Sequence, residues 1–542
     1  MKSVSGRAIH WRHQPVAPFR GRPDRPTDHR RPRPAGPAIR GRPPRSGGVP
    51  GTHRNPTAPV RLFPSSRLRA ARRPRLEPRD HVRPEPTDQH AFETRPTTSR
   101  AGDSAMPGSK RSRGSSGPAG QEPTADGQPE AETLLLSGVR LPDGRTVDVR
   151  LSDGRIEAVG TPGSLAAPRN GSGEGDQRPG LDLSGYLLLP APAEPHAHLD
   201  TALTAESLGG PPPDGPEDVQ RRVTEAALLQ LGHGTTAVRT HVRIGDVQGL
   251  RTLQAVLRAR RALRGLVDIS AVAVPRVLTG VAGADSLAML RDALKMGASV
   301  VGGCPDLDPD PAGYVEAVLR LAAEFGCAVD LHSEAADPAR LGRLAAMAGG
   351  LRPSVTIGPC EGLARLPQDA VARAAAQLAA AGVAVVCLPQ GGCGTLAGGR
   401  AGWVAPVRAL RAAGVRVAAG GGALRDQANP VGRADPLESA YLLASWGATD
   451  AADAYEAVSG RARAVMGLPE VRLEAGFPAE LLAVRGDCVA GVLSVGYSRV
   501  VVHRGRVVSR TSAVREYTDT TALDLPRQVR TGKDRGPDRP TE

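Results

Sequence analysis

From Thr133 onward the chain alternates between short apolar runs and longer amphipathic stretches; before it, neither period occurs. Leu134–Leu136, Thr146–Leu151 and Arg155–Val159 have strand length, and Asp143-Gly144 and Asp153-Gly154 between them suit tight hairpin turns. A matching set recurs far down the chain at Glu480–Val484 and Val500–Val508. Between the two sets, apolar runs at Thr235–Val242, Leu266–Val274, Ser299–Val301, Ala328–Leu331, Ser354–Ile357, Val383–Leu388 and Val415–Ala419 predict strands. The Ala/Leu/Arg-rich segments Glu217–Leu231, Val247–Arg264, Ala284–Lys295, Tyr314–Phe325, Pro338–Ala348, Gln368–Ala381 and Pro406–Ala413 predict the helices that separate them. Gly232, Gly326, Gly382 and Gly414 stand near helix ends, where a residue free to adopt positive φ closes the last turn. With Tyr186–Leu189 taken as the first strand, the middle holds eight strand–helix units. That is the number of an α/β chain folded as a (β/α)8 TIM-type barrel, here over residues 190–468. The flanking sets, 133–189 and 469–510, predict one small β-sandwich built from both sides of the barrel.

Composition changes the picture at the ends. The 542 residues carry a net charge of +14, and residues 1–130 hold about 26 Lys and Arg against about 11 Asp and Glu. Residues 1–132, rich in Arg, Pro, Gly and Ser, bury too little apolar surface to offset ordering and are expected to be disordered. A nucleic-acid arm is disfavoured, because stacking aromatics are nearly absent and proline interrupts the charges. The four lysines of the whole chain point instead to GC-rich coding DNA read from an over-extended start, with Met106 or a position nearer 133 as the beginning. Residues 511–542 form a second charged tail. No apolar run approaches the ~20 residues of a membrane span. The six cysteines contain no Cys-x-x-Cys pair, so reduced thiols in a cytoplasmic protein are expected.

The chemistry concentrates at the predicted strand ends. His196 and His198 are one residue apart, a spacing that puts both imidazoles on one side of an extended strand. His332 closes the apolar run Val329–Leu331. In a (β/α)8 barrel these ends share one mouth, where active sites are built. The string Glu194-Pro195-His196-Ala197-His198-Leu199-Asp200-Thr201 resembles the first barrel strand of the amidohydrolase superfamily, and within it the cytosine deaminase group. The resemblance covers about residues 133–510. It implies hydrolysis of non-peptide C–N bonds in cyclic amidines or amides, a nitrogen heterocycle as the small-molecule ligand, and one divalent metal, zinc or iron. His196, His198 and His332 are then its ligands. A homo-oligomer is compatible with the resemblance.

Departures from the family are equally specific. Where it carries a proton-shuttling Glu three residues after the third histidine, this chain has Ala335, with Glu334 adjacent as the candidate catalytic group. The histidine expected to end the sixth barrel strand is Pro359. After the eighth strand, Gly420-Gly421-Gly422-Ala423-Leu424-Arg425-Asp426 places Gly422 at the metal-binding Asp and matches the pattern's final Asp with Asp426. Arg276 stands where cytosine deaminases carry a ring-binding Gln, so Arg276 and Asp426 are the candidate substrate contacts. Cys360 is the thiolate best placed to replace the lost Asp on the metal, against the ordinary fate of such cysteines as small core residues. Two readings follow: a C–N hydrolase of weak or altered activity, or a pseudoenzyme that binds a metal or ligand.

Overall fold

The computed structural model describes residues 133–165, 180–206, 212–245, 249–281, 283–350, 354–392 and 404–514. The expectations for residues 1–132 and for the tail beyond 514 lie outside these.

Sixteen strands form two sheets among the described residues. The first five are β1 (Leu134–Arg140), β2 (Thr146–Ser152), β3 (Arg155–Gly160), β4 (Gly180–Asp182) and β5 (Tyr186–Pro190). The next eight are β6 (Ala193–Ala197), β7 (Ala237–Ile244), β8 (Asp268–Pro275), β9 (Val300–Gly303), β10 (Ala328–Ser333), β11 (Val355–Pro359), β12 (Ala384–Cys387) and β13 (Val417–Ala419). The last three are β14 (Leu481–Arg485), β15 (Arg499–His503) and β16 (Arg506–Thr511).

Strands β6 to β13 pair in chain order, every pair parallel, and a parallel bridge between Ala197 and Gly422 joins the first strand to the segment after the last. Helices cover the outside, as a parallel sheet buried on both faces requires. Pro338–Ala348 and Gln368–Ala381 fall where the apolar period places them. The Asp337 side chain accepts from the Ala339 and Arg340 amides at the start of the former, and Gly382 closes the latter with φ 69°.

One strand assignment is corrected. Tyr186–Pro190 is not the first barrel strand: it pairs antiparallel with β14, Leu189 opposite Leu482, in the second sheet. Its unbroken Leu run reads as buried on both faces in either sheet, so periodicity alone could not separate the two. The barrel begins three residues later, at Ala193.

The second sheet is mixed, in the order β16-β15-β14-β5-β1-β2-β3 with β4 alongside β1, so strands from both sides of the barrel form one continuous sheet. Its core joins Leu136, Val149, Leu151 and Leu188 to Leu481, Ala483, Val500 and Val502. Tyr186–Pro190 therefore anchors the barrel's first strand: the chain leaves this sheet and enters β6 within three residues.

Candidate metal centre

Four histidines meet inside the barrel. One ring nitrogen or the other of His196, His198, His241 and His332 lies within 4.8 Å of its counterpart in each other ring. His196 lies in β6, His198 just beyond it, His241 in β7 and His332 in β10. All four are buried, and the Nε2 atoms of His198 and His332 are 3.1 Å apart. Both ring nitrogens of His196, both of His241 and Nδ1 of His332 have no hydrogen-bond partner. Burial, followed by the neighbouring imidazoles and by Arg239 or Arg243, pushes His196, His198 and His332 far below the ordinary histidine range. These three rings are therefore neutral and offer lone pairs at physiological pH. Clustered neutral imidazoles with unpartnered nitrogens fit a divalent cation and are costly without one.

The cluster stands on a rigid base. The Glu194 carboxylate lies beneath it, accepting from the His196 amide at 2.9 Å and from the Gly421 amide at 2.7 Å. The Gly422 amide donates to the His196 carbonyl at 3.0 Å. Glu194 explains the glycines facing it, since a Cβ on Gly420 would lie 2.5 Å from its Oε1. Gly422, at the position of the expected Asp, has φ +69°, and a Cβ there would meet Leu388 Cδ1 at 3.1 Å. The backbone that closes the barrel is thus in a conformation that disfavours any side chain.

The other predicted residues are placed apart from the cluster. Cys360 is not among the grouped ligands; it is fully buried in the apolar core, and burial pushes its thiol well above the usual range, as for an inert core cysteine. Asp426 is committed to its own loop, one oxygen accepting from the Ala428 and Asn429 amides and the other from Thr201 Oγ1. Arg276 is exposed directly after β8. Glu334 is half-buried, 3.6 Å from Arg365, with Oε2 lacking a hydrogen bond.

The sequence gives one of these four histidines, His241, no ligand role, although Arg239 and His241, two apart in β7, alternate inward as Asp330 and His332 do in β10. Charged and imidazole side chains repeating at period two on buried strands were the available signal. Glu361, just past β11, is buried with Oε1 unpartnered, and burial followed by repulsion from Glu334 pushes it up to about 7. From the sequence it stands with Glu334 and the rim cysteines as a side chain that could replace the missing proton shuttle.

Comparisons with known proteins agree with this architecture. A family model described as "Amidohydrolase family" matches residues 205–509. The pterin deaminase of Rhizobium rhizogenes is 25% identical over 421 residues, spanning 70% of this chain and 90% of that protein. The crystal structure of N-isopropylammelide isopropylaminohydrolase from Burkholderia multivorans superposes with a TM-score of 0.59 at 29% identity, covering 70% of this chain and 98% of that one. The 5-methylcytosine deaminase of Klebsiella pneumoniae, liganded with 5-fluorocytosine, gives 0.59 at 23% identity over 71% of this chain and 99% of its own. At that identity the likeness bears on the fold alone.

Proposed function

The chain belongs to the amidohydrolase family, and on that premise we propose that it is a metal-dependent hydrolase of a C–N bond in a nitrogen heterocycle, with its proton transfer moved to carboxylates the family does not use. The observation that carries this reading is the convergence of buried, neutral imidazoles at the barrel mouth. His196, His198 and His332 would hold the cation, and zinc and iron both suit such donors. When bound, a divalent cation there supplies Lewis-acid polarisation of the reacting group.

This chain's residues supply the rest. Glu361, pushed to about 7, keeps its proton in mildly acidic solution and can give it to a departing amine. Glu334, raised chiefly by burial, shares that proton-holding region through its repulsion of Glu361. Arg276, exposed beyond β8, offers a cation to a ring oxygen or nitrogen. The names of the relatives guide the substrate class: pterins, cytosines and isopropylamino-triazines are the heterocycles to try. Cys327, Cys360, Cys387 and Cys488 are free thiols, compatible with a reducing, cytoplasmic setting. Among the described residues no helix is long and apolar enough to cross a membrane.

A second reading, a metal-binding pseudoenzyme, is favoured by one observation: Ala335, Pro359 and Gly422 offer no group that can take or give a proton. The deciding experiment pairs metal analysis of purified protein with a screen for released ammonia or amine across those heterocycles. About one metal per chain and chelator-sensitive release are expected. Metal without any release favours the pseudoenzyme, and metal-free protein that ignores added zinc overturns both readings.

A further inference from the structure

We propose that His241 is a fourth metal ligand, contributed by the second barrel strand in place of the Asp missing after the eighth, and that Asp330 positions it. The inference rests on the reading above that the imidazoles hold a cation. His241 belongs to the cluster by distance: its ring centroid lies 4.1 Å from that of His196 and 4.6 Å from that of His332. The segment after β13 does not supply the donor the resemblance calls for, because Gly422 has no side chain, and its φ of +69° with Leu388 Cδ1 3.1 Å from a Cβ makes one there strained.

The neighbouring charges specify how the ring is held. Asp330 and Arg239 are fully buried in the barrel interior, where an unpaired charge is costly. Arg239 Nη1 donates to Asp330 Oδ2 at 2.9 Å, and its Nη2 donates to the Val465 carbonyl at 3.3 Å. That leaves Oδ1, which has no other partner, 3.3 Å from His241 Nε2. The contact does not have hydrogen-bond geometry as it stands, but a small rotation of the ring would let a proton on Nε2 meet Oδ1 and leave the lone pair on Nδ1, the arrangement in which a carboxylate orients a ligating imidazole. Asp330 is thus a positioning residue: Arg239 holds one of its oxygens so that the other faces the ring. A histidine serving only the core would need Asp330 alone and would have no reason to lie against three other imidazoles, two of which, His196 and His332, carry unpartnered nitrogens.

Four imidazoles satisfy tetrahedral zinc completely, whereas a catalytic site keeps a position open. Coordination number therefore connects this assignment to the choice between hydrolase and pseudoenzyme: hydrolysis would need a fifth position or the release of one ring.

The test uses the full chain loaded with zinc or cobalt. X-ray absorption on the zinc-loaded wild type should resolve four imidazole ligands; three imidazoles with an oxygen donor overturn the proposal without any variant. In zinc titrations, His241→Ala should weaken binding on the order of 10²-fold, and Asp330→Asn by about 10- to 100-fold. Both should alter the visible spectrum of the cobalt-loaded protein, a change that a merely structural residue would not cause. His241→Gln, closer in size, replaces the alanine variant if that one does not fold. Wild-type affinity and an unchanged cobalt spectrum in the His241 variants overturn the proposal while leaving the other three ligands standing. A wild type that binds neither metal overturns the metal reading itself.

Discussion

The barrel mouth is divided between two unlike arcs. Over β6, β7 and β10 the inward positions are imidazoles, backed by Glu194 and by the Arg239–Asp330 pair. Over β11 and β13 the corresponding positions are Pro359 and Gly422, and the carboxylates proposed for proton transfer, Glu334 and Glu361, stand outside the histidine group. Holding a cation requires only that rigid strands aim donors at one point. Moving protons to a substrate requires groups that titrate near the working pH and face the reacting atoms. On the proposed reading these capacities belong to different side chains, so one can persist while the other is rebuilt or lost.

The comparison breaks most sharply if the first arc is not a metal site. Replacing His196 and His198 together by alanine should weaken metal binding by at least about 10²-fold and leave dialysed protein without metal in elemental analysis. Retained metal would place the cation elsewhere and dissolve the contrast between the arcs.

The second arc is tested by Glu361→Gln, which should lower amine release on the order of 10²- to 10⁴-fold with metal content unchanged. In the parent protein release should fall as pH rises through about 7, where Glu361 loses the proton it donates; the variant should lack that limb. An unchanged rate and profile would remove Glu361 from the chemistry.

The same carboxyl leaves a signature in stability. Its folded value, about 7, lies above the ordinary glutamate value of 4.5, so between those limits the unfolded chain has released a proton that the native state keeps. Stability from this group is complete below the lower limit and is lost as pH rises to the upper, by on the order of 3 kcal/mol. Denaturant midpoints followed across that window should slope downward in the parent and flatten in Glu361→Gln.

A smaller effect is expected at the barrel's closing bridge. Gly422→Asp, which restores the family's side chain, should cost about 1–2 kcal/mol, because it forces a left-handed residue against Leu388. Calorimetry of the single variant reads this directly. Combining it with Ala335→Glu and Pro359→His should therefore give a less stable protein, and a variant as stable as the parent would show that the backbone at 422 relaxes. The least effect belongs to Cys360→Ala: a loss of about 1 kcal/mol from a small void in the core, with metal content and cobalt spectrum unaltered.

How far the chain could be read from its residues follows the same division. The alternation of apolar runs and helical stretches marks β7 to β13, because a buried parallel sheet concentrates its apolar residues into short continuous strands. His196, His198 and His332 are legible as candidate ligands because such groups must stand at strand ends at fixed spacing, and the structure brings them together. His241 is not legible as a candidate ligand from the sequence, since only the third dimension brings its ring to the other three and lets Asp330 face it. Asp426 matched a pattern by position yet is bound up in its own loop, and sequence carries no record of which lone pairs are already taken. Tyr186–Pro190 was placed in the wrong sheet because β5 and β6 are separated by only two residues, and the run carries no mark of its partner.

The mixed sheet has a further consequence, for the timing of synthesis. Arg155 of β3 donates to the Gly476 carbonyl 321 positions away, and β5 finds its antiparallel partner only in β14. At roughly 5–20 residues per second, the ribosome needs on the order of 15–60 seconds between making the two sides of that contact. Throughout this interval the nascent strands β1 to β5 expose edges and apolar faces that no later element yet covers, the state most open to mispairing and to capture by chaperones. A chain released anywhere before β14 lacks the partner of the strand that leads into the histidines, so truncation near the far end should be felt first at the near one.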